Sequence, residues 1–199
     1  MKLGIIGTGG VGRALGVLLS RQGHELYFGA RDLDAAREAA AAAGGRFGNF
    51  EAAARFGEVL VYTLRSGPDP YAEPSAGARG TIVVDCRGAG AFDPKAPRGA
   101  PGARVVRAFF DVPQEALDLA DAVPLCEYGA PFLLCGDDAG AKAAVASLAE
   151  QLGFAPVDCG PLDHARIASA LGGAIYALAR RAPVSLAAER AAAGWLAAA

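Results

Sequence analysis

Residues 4–15 read Gly4-Ile5-Ile6-Gly7-Thr8-Gly9-Gly10-Val11-Gly12-Arg13-Ala14-Leu15, and this stretch decides the fold. Residues 2–6 form a short, mostly apolar run suited to a buried strand. A glycine-rich turn follows, and then Val11, Leu15, Leu18 and Leu19 recur at helical spacing until Gly23 stops the pattern. Leu26-Tyr27-Phe28 supplies a second strand, so the Gly7-x-Gly9-x-x-Gly12 spacing lies where a dinucleotide-binding βαβ unit carries it. Each glycine has a mechanical task there. Gly7 makes the tight turn, Gly9 lets a pyrophosphate approach the backbone, and Gly12 lets helix and strand pack closely. The helix N-terminus then offers N–H groups and a positive dipole end to the phosphates. Gly7, Thr8, Gly9, Gly10 and Val11 are the candidate phosphate-binding residues.

The end of the second strand separates the two nicotinamide dinucleotides. A carboxylate there bonds the ribose 2′-hydroxyl, whereas an arginine accommodates the 2′-phosphate. The chain reads Phe28-Gly29-Ala30-Arg31-Asp32. Arg31 comes first, and a guanidinium matches a phosphate in a bidentate way. Asp32 stands 20 residues after Gly12, at the spacing of a ribose-binding acid, but it also suits the cap of the next helix. The reading favours NADP(H) over NAD(H), with Arg31 on the phosphate and Asp32 as the cap.

Outward from this unit, strands and helices keep alternating. Residues 59–64 and 81–85 are continuous apolar runs, as in strands buried on both faces, and 104–107 is another short strand. Residues 86–103 between them hold four glycines and three prolines and read as a long loop. Residues 113–121 suggest a short helix, 131–135 a strand, 139–152 a helix and 155–157 a strand. A long helix opens at Pro161, with Ile167, Leu171, Ile175 and Leu178 along one face. The pattern predicts an α/β fold with a doubly wound, mostly parallel, Rossmann-like sheet. The chain reads as a single NAD(P)-binding domain over 1–199, in which 161–199 is a helical C-terminal extension.

Composition agrees with a globular domain. The 199 residues are 53% hydrophobic and 20% charged, with 47 alanines and a net charge of −2. That balance argues against a general nucleic-acid binder. No stretch approaches the ~18 apolar residues of a membrane span. Cys86, Cys126, Cys135 and Cys159 form no C-x-x-C, and with two histidines a zinc site is not expected. Four thiols fit a reducing, cytoplasmic setting.

The second half of the chain carries further motifs. Cys135-Gly136-Asp137-Asp138-Ala139-Gly140-Ala141-Lys142 and Asp158-x-Gly160-Pro161-Leu162 with Arg166 are similar to segments of the coenzyme F420-dependent NADP reductases. So are residues 4–15, Gly23-His24-Glu25 and Gly29-Ala30-Arg31. The resemblance spans 3 to about 182, and the same family includes the cytosolic reductase domains of membrane ferric reductases. It implies NADPH at Gly7, Thr8, Gly9 and Val11, with Arg31 on the 2′-phosphate. It also implies a flavin or deazaflavin (F420) acceptor near the C-terminal strand ends, at Leu64-Arg65, Asp85-Cys86-Arg87 and Arg107-Ala108-Phe109-Phe110. Three positions depart from the family. Ala30 replaces a frequent serine, Cys86-Arg87 an Asn-Pro, and Phe110 a residue that is histidine in the deazaflavin reductases.

These readings give an NADPH-dependent oxidoreductase that passes hydride between NADP(H) and a flavin-like or deazaflavin acceptor. Alternatives are an NADP(H)-binding regulator without turnover and a reductase of a small carbonyl or imine. Hydride transfer between stacked rings asks for orientation more than for an acid or base, so no catalytic residue is assigned. Leu64, Arg65 and Cys86 are candidate contacts to the dinucleotide, and Phe109 and Phe110 to the acceptor, although two aromatics at a strand end also suit a core. Cys86 beside Arg65 and Arg87 is either a thiol of lowered pKa or an inert small hydrophobe. One of Asp137 and Asp138 is expected to cap the next helix. The apolar face of the long helix, together with a tail carrying Trp195 and Leu196, points to a homodimer.

Overall fold

The computed structural model describes residues 1–64, 80–88, 102–110, 112, 117 and 131–181. Arg65, the loop interior, the 113–121 helix apart from Leu117, and the tail lie outside the described residues. In chain order the elements are β1 (Lys2–Ile6), α1 (Gly10–Arg21), β2 (Glu25–Gly29), α2 (Leu33–Ala43), β3 (Arg46–Gly48), α3 (Phe50–Phe56) and β4 (Val59–Tyr62). There follow β5 (Ile82–Asp85), β6 (Arg104–Arg107), β7 (Pro131–Gly136), α4 (Ala139–Gln151), β8 (Ala155–Asp158) and α5 (Ala165–Arg181).

The eight strands make one sheet in the order β3-β2-β1-β4-β5-β6-β7-β8. Every pairing is parallel except β6 with β7. The α/β, doubly wound, mostly parallel reading is therefore correct. The reversal from β3-β2-β1 to β4-β5-β6 puts a crevice at the C-terminal ends of β1 and β4, where ligands bind in such sheets.

Both faces are covered. Leu15 and Leu19 of α1, Ala39 and Ala40 of α2, and Val145 and Leu148 of α4 pack with Leu3, Ile5, Val59, Val61, Val84 and Val106. The opposite face carries α3 through Ala53 against Ile6 and Tyr62, and α5 through Ala165 against Val83, Val105 and Cys135.

Three details differ from the sequence reading. β3 was not expected, because its three residues hold no apolar run and Phe47 is exposed; its pairing with β2 creates it. The long helix begins later, after a 3-10 turn at Leu162–His164. Its sheet-facing side is built from Ala165, Ala168 and Gly172, while Ile167 and Leu171 are 71% and 50% exposed. Small residues allow α5 to lie close on the sheet, which leaves Ile167 and Leu171 outward. Among the described residues no helix is long and apolar enough to cross a membrane.

Candidate functional site

The first part of the site is the β1–α1 turn. Gly7 has φ +112°, a conformation that L side chains rarely adopt, and its N–H donates to Gly29 O at 2.9 Å. A Cβ on Gly12 would run into the Gly7 carbonyl oxygen and lie 2.8 Å from Thr63 Oγ1. A Cβ on Gly9 would meet nothing within 4 Å, so the space above this residue is open. Gly9 is also the N-cap of α1; it supplies no side-chain cap, and the first turn holds no acidic residue. The first-turn amides thus meet neither a capping side chain nor a competing charge, as an incoming anion requires. Arg13 reaches back with Nε to the Thr8 carbonyl at 2.8 Å and pairs with Glu38 of α2 at 3.2 Å. That tether links the turn to α2 and was not foreseen, because nothing in a sequence marks a side chain that turns back on its own loop.

Beyond β2, Asp32 Oδ1 accepts from the N–H groups of Asp34 (2.9 Å) and Ala35 (3.2 Å) and so caps α2. Arg31 is exposed beside it, with no hydrogen bond or ion pair among the described residues. Arg37, one turn into α2, is held by Asp34 at 2.9 Å. Of the charged side chains at this corner, Arg31 is thus the cation not already engaged within the described structure.

The second part lies at the C-terminal ends of β4, β5 and β6. Tyr62, Asp85 and Arg107 end these strands in register. Asp85 and Arg107 are both fully buried, with Arg107 Nη1 3.2 Å from Asp85 Oδ1. Arg107 also donates to the Arg87 carbonyl at 2.5 Å and to Ser169 Oγ of α5 at 3.3 Å. Arg87 meets the same Asp85 carboxylate from the other side, through Nε at 3.1 Å and Nη2 at 2.8 Å, and lies over the Tyr62 ring. A buried pair of this kind depends on the hydrogen bonds around it, which here come from Arg87 and Ser169. The sequence signal was present but unread: β5 and β6 each end in a charge of opposite sign.

The sequence-predicted residues separate around this network. Leu64 is half-buried against the small cluster of Ile6 and Tyr62. Cys86 packs on the α1 side of the sheet, where burial, reinforced by the Asp85 carboxylate, pushes its thiol well above the ordinary range. It is the inert small hydrophobe, not a thiol activated by arginine. Phe109 departs from the sequence reading. It is buried in the core, 4.5 Å from the Phe132 ring and 6.2 Å from that of Phe154. Its φ of 57° sends its side chain inward and turns the next residue out. Phe110 is half-buried, with the Arg107 guanidinium 4.7 Å from its ring centre.

The C-terminal motifs form a clamp. Asp138 caps α4 through Ala141 N–H, Asp137 accepts from Leu162 N–H at 3.0 Å, and Lys142 meets Asp158 at 2.7 Å. They seat the start of α5 on the sheet. Among the described residues no group of three or more His, Cys, Asp or Glu could hold a metal ion.

Residues 2–87 match the family described as NADP oxidoreductase, coenzyme F420-dependent. No curated protein matches the chain. A candidate F420-dependent NADP reductase from Arthrobacter sp. FB24 superposes with a TM-score of 0.73 at 25% identity, over 86% of this chain and 90% of that one. A hypothetical protein from Sinorhizobium meliloti gives 0.61 at 22% identity, over 82% and 86%. A reductive aminase from Aspergillus terreus, solved with NADPH and ethyl-5-oxohexanoate, shares the fold with a TM-score of 0.64 at 20% identity, over 99% of this chain and 72% of that one.

Proposed function

We propose that this chain, an NAD(P)-dependent oxidoreductase whose residues 2–87 form the domain of the F420-dependent NADP oxidoreductase family, passes hydride between NADP(H) and a planar flavin-like or deazaflavin acceptor. The observation that carries the dinucleotide half is the corner at Arg31. Asp32 is committed to the α2 cap, Arg37 to Asp34, and Arg31 stands exposed beyond the strand next to the open turn at Gly9. These residues fit a dinucleotide whose 2′-phosphate is read by a guanidinium.

Bound NADP(H) supplies the hydride chemistry itself. The chain's part is to bind, orient and keep water out. Gly7 and Gly12 hold the turn in shape, and α1 directs its first N–H groups at the pyrophosphate. Leu64 and Phe110 present partly buried apolar surface at the same end of the sheet. Arg107, held by Asp85, lies against the Phe110 ring. Cys86, protonated at neutral pH, adds bulk without charge. A flat, rigid apolar wall suits a ring stacked for hydride transfer, which depends on orientation.

The exposed Ile167 and Leu171 on α5 support a second proposal, a homodimer that covers this face. Light scattering at micromolar concentration reads it: twice the chain mass supports the pairing, and a mass near 20.1 kDa overturns it. For the acceptor, the protein saturated with NADP⁺ is titrated with F420, FMN and FAD and followed by difference spectra. Saturable perturbation by at least one of them is expected. No perturbation by any, with NADPH consumed by a small ketone and amine instead, overturns the reading.

A further inference from the structure

Cys135 ends the apolar part of β7, and Cys159 follows the last residue of β8. The Cα pairing of the two parallel strands runs to Leu134 with Asp158, one step short of the cysteines. The Leu134–Asp158 step closes with Cys159 N–H donating to Leu134 O at 2.8 Å, and beyond it the ladder slips by one residue, Gly136 N–H donating to Gly160 O at 3.0 Å. Cys135 and Cys159 are the next residues on the two strands, directly after the last paired position. Both cysteines nonetheless belong to the same small cluster with Leu162 and Ala165 beneath α5, so they lie on the same face of the sheet. Neighbouring strands are ~4.8 Å apart, inside the ~4.4–6.8 Å between Cα atoms that a disulfide needs. Cys86 lies on the other face of the sheet, against α1.

We propose that Cys135 and Cys159 form a reversible disulfide when the protein meets a hydroperoxide. Cys159 is half-buried and Cys135 fully buried, so the order of events follows from access. The Cys159 thiol loses its proton, and its sulfur attacks the peroxide oxygen. The O–O bond breaks, releasing water or an alcohol and leaving a sulfenic acid. The Cys135 sulfur then attacks the Cys159 sulfur; the S–O bond breaks and a second water leaves with the Cys135 proton. Two thiols lose two electrons, and the peroxide gains them. Burial pushes the Cys135 thiol up to about 11, so it does not react first. The bond would pin the chain just before Pro161, where the Cys159 carbonyl already meets His164 Nδ1 at 2.6 Å, and hence fix the root of α5 to the sheet.

The test treats the full chain with hydrogen peroxide, alkylates the remaining thiols under denaturing conditions and digests with trypsin. Cys159 falls in the 143–166 peptide, and Cys135 shares the 108–142 peptide with Cys126. The two peptides are expected joined in the native sequence and in Cys126→Ser, separate in Cys159→Ser, and separated again by dithiothreitol. Thermal midpoint is expected to rise on oxidation in Cys126→Ser and not in Cys159→Ser. Loss of the link in Cys126→Ser overturns the assignment, because the partner is then Cys126. A Cys159 recovered only as sulfinic or sulfonic acid, with Cys135 fully alkylated, overturns it as well.

Discussion

Arg31 and Asp32 are neighbours with different partners, and the difference sets the proposed dinucleotide preference. Asp32 spends its Oδ1 on two backbone N–H groups of α2, while Arg31 is exposed beyond β2. Replacing Arg31 by Ala is expected to weaken NADPH binding by roughly 1.5–3 kcal/mol, the scale of a hydrogen bond to a charged group. NADH binding is expected to change little. Calorimetric titration with both dinucleotides reads this, and a native protein that binds NADH more tightly would contradict it. Gly9 makes the complementary point. Its Cβ direction is empty, so Gly9→Val is expected to keep its melting temperature while losing dinucleotide binding. A variant that still binds would show that the turn does not cradle phosphates. Both positions were read from the sequence, since the roles proposed for them rest on the local geometry of a strand, a turn and a helix. Phe109 was misplaced because its direction depends on a positive φ and on the distant Phe132 and Phe154, which no local pattern reports.

At the scale of elements, the ends of β5 and β6 are joined by the buried Asp85–Arg107 pair. Removing one partner of such a pair leaves a charge in the interior, at a cost of about 3–5 kcal/mol. Asp85→Ala is therefore expected to lower the urea midpoint by that equivalent; a loss under ~1 kcal/mol would mean the pair is screened as surface pairs are. The clamp between α4 and β8 is weaker and depends on pH. Burial alone would raise the Asp158 carboxyl, but the hydrogen bonds from Lys142 and Gly160 N–H, with the Lys142 charge, outweigh it and hold the carboxyl below its usual range. A depressed folded value contributes stability above the unfolded pKa of ~3.9, and that contribution disappears as pH falls through the folded value. Lys142→Met is thus expected to cost up to ~1 kcal/mol at neutral pH, since Asp158 is over half exposed, with the gap closing below pH ~4. A gap unchanged by acid would contradict the assignment. The sequence revealed these motifs by resemblance and one of them as a cap. It did not reveal the clamp, because the two segments meet only after β7 and β8 pair.

For the whole molecule, eight strands with one antiparallel step bring the dinucleotide turn and the Asp85–Arg107–Phe110 wall to the same end of the sheet. The mostly parallel, doubly wound sheet was legible because β4 and β5 are continuous apolar runs, as strands covered on both faces need, whereas the order of strands in the sheet and its antiparallel step depend on pairings no local pattern reports. β3 escaped because an edge strand needs little apolar content. Hydride transfer at that shared end is read out by anaerobic turnover. NADPH or NADH is mixed with the protein and with F420, FMN or FAD in turn, and both chromophores are followed. Loss of NADPH is expected to be matched one for one by reduced acceptor with at least one of the three, and the reaction with NADH to be slower. No oxidation of NADPH with any of them, or an equal rate with NADH, would contradict that expectation.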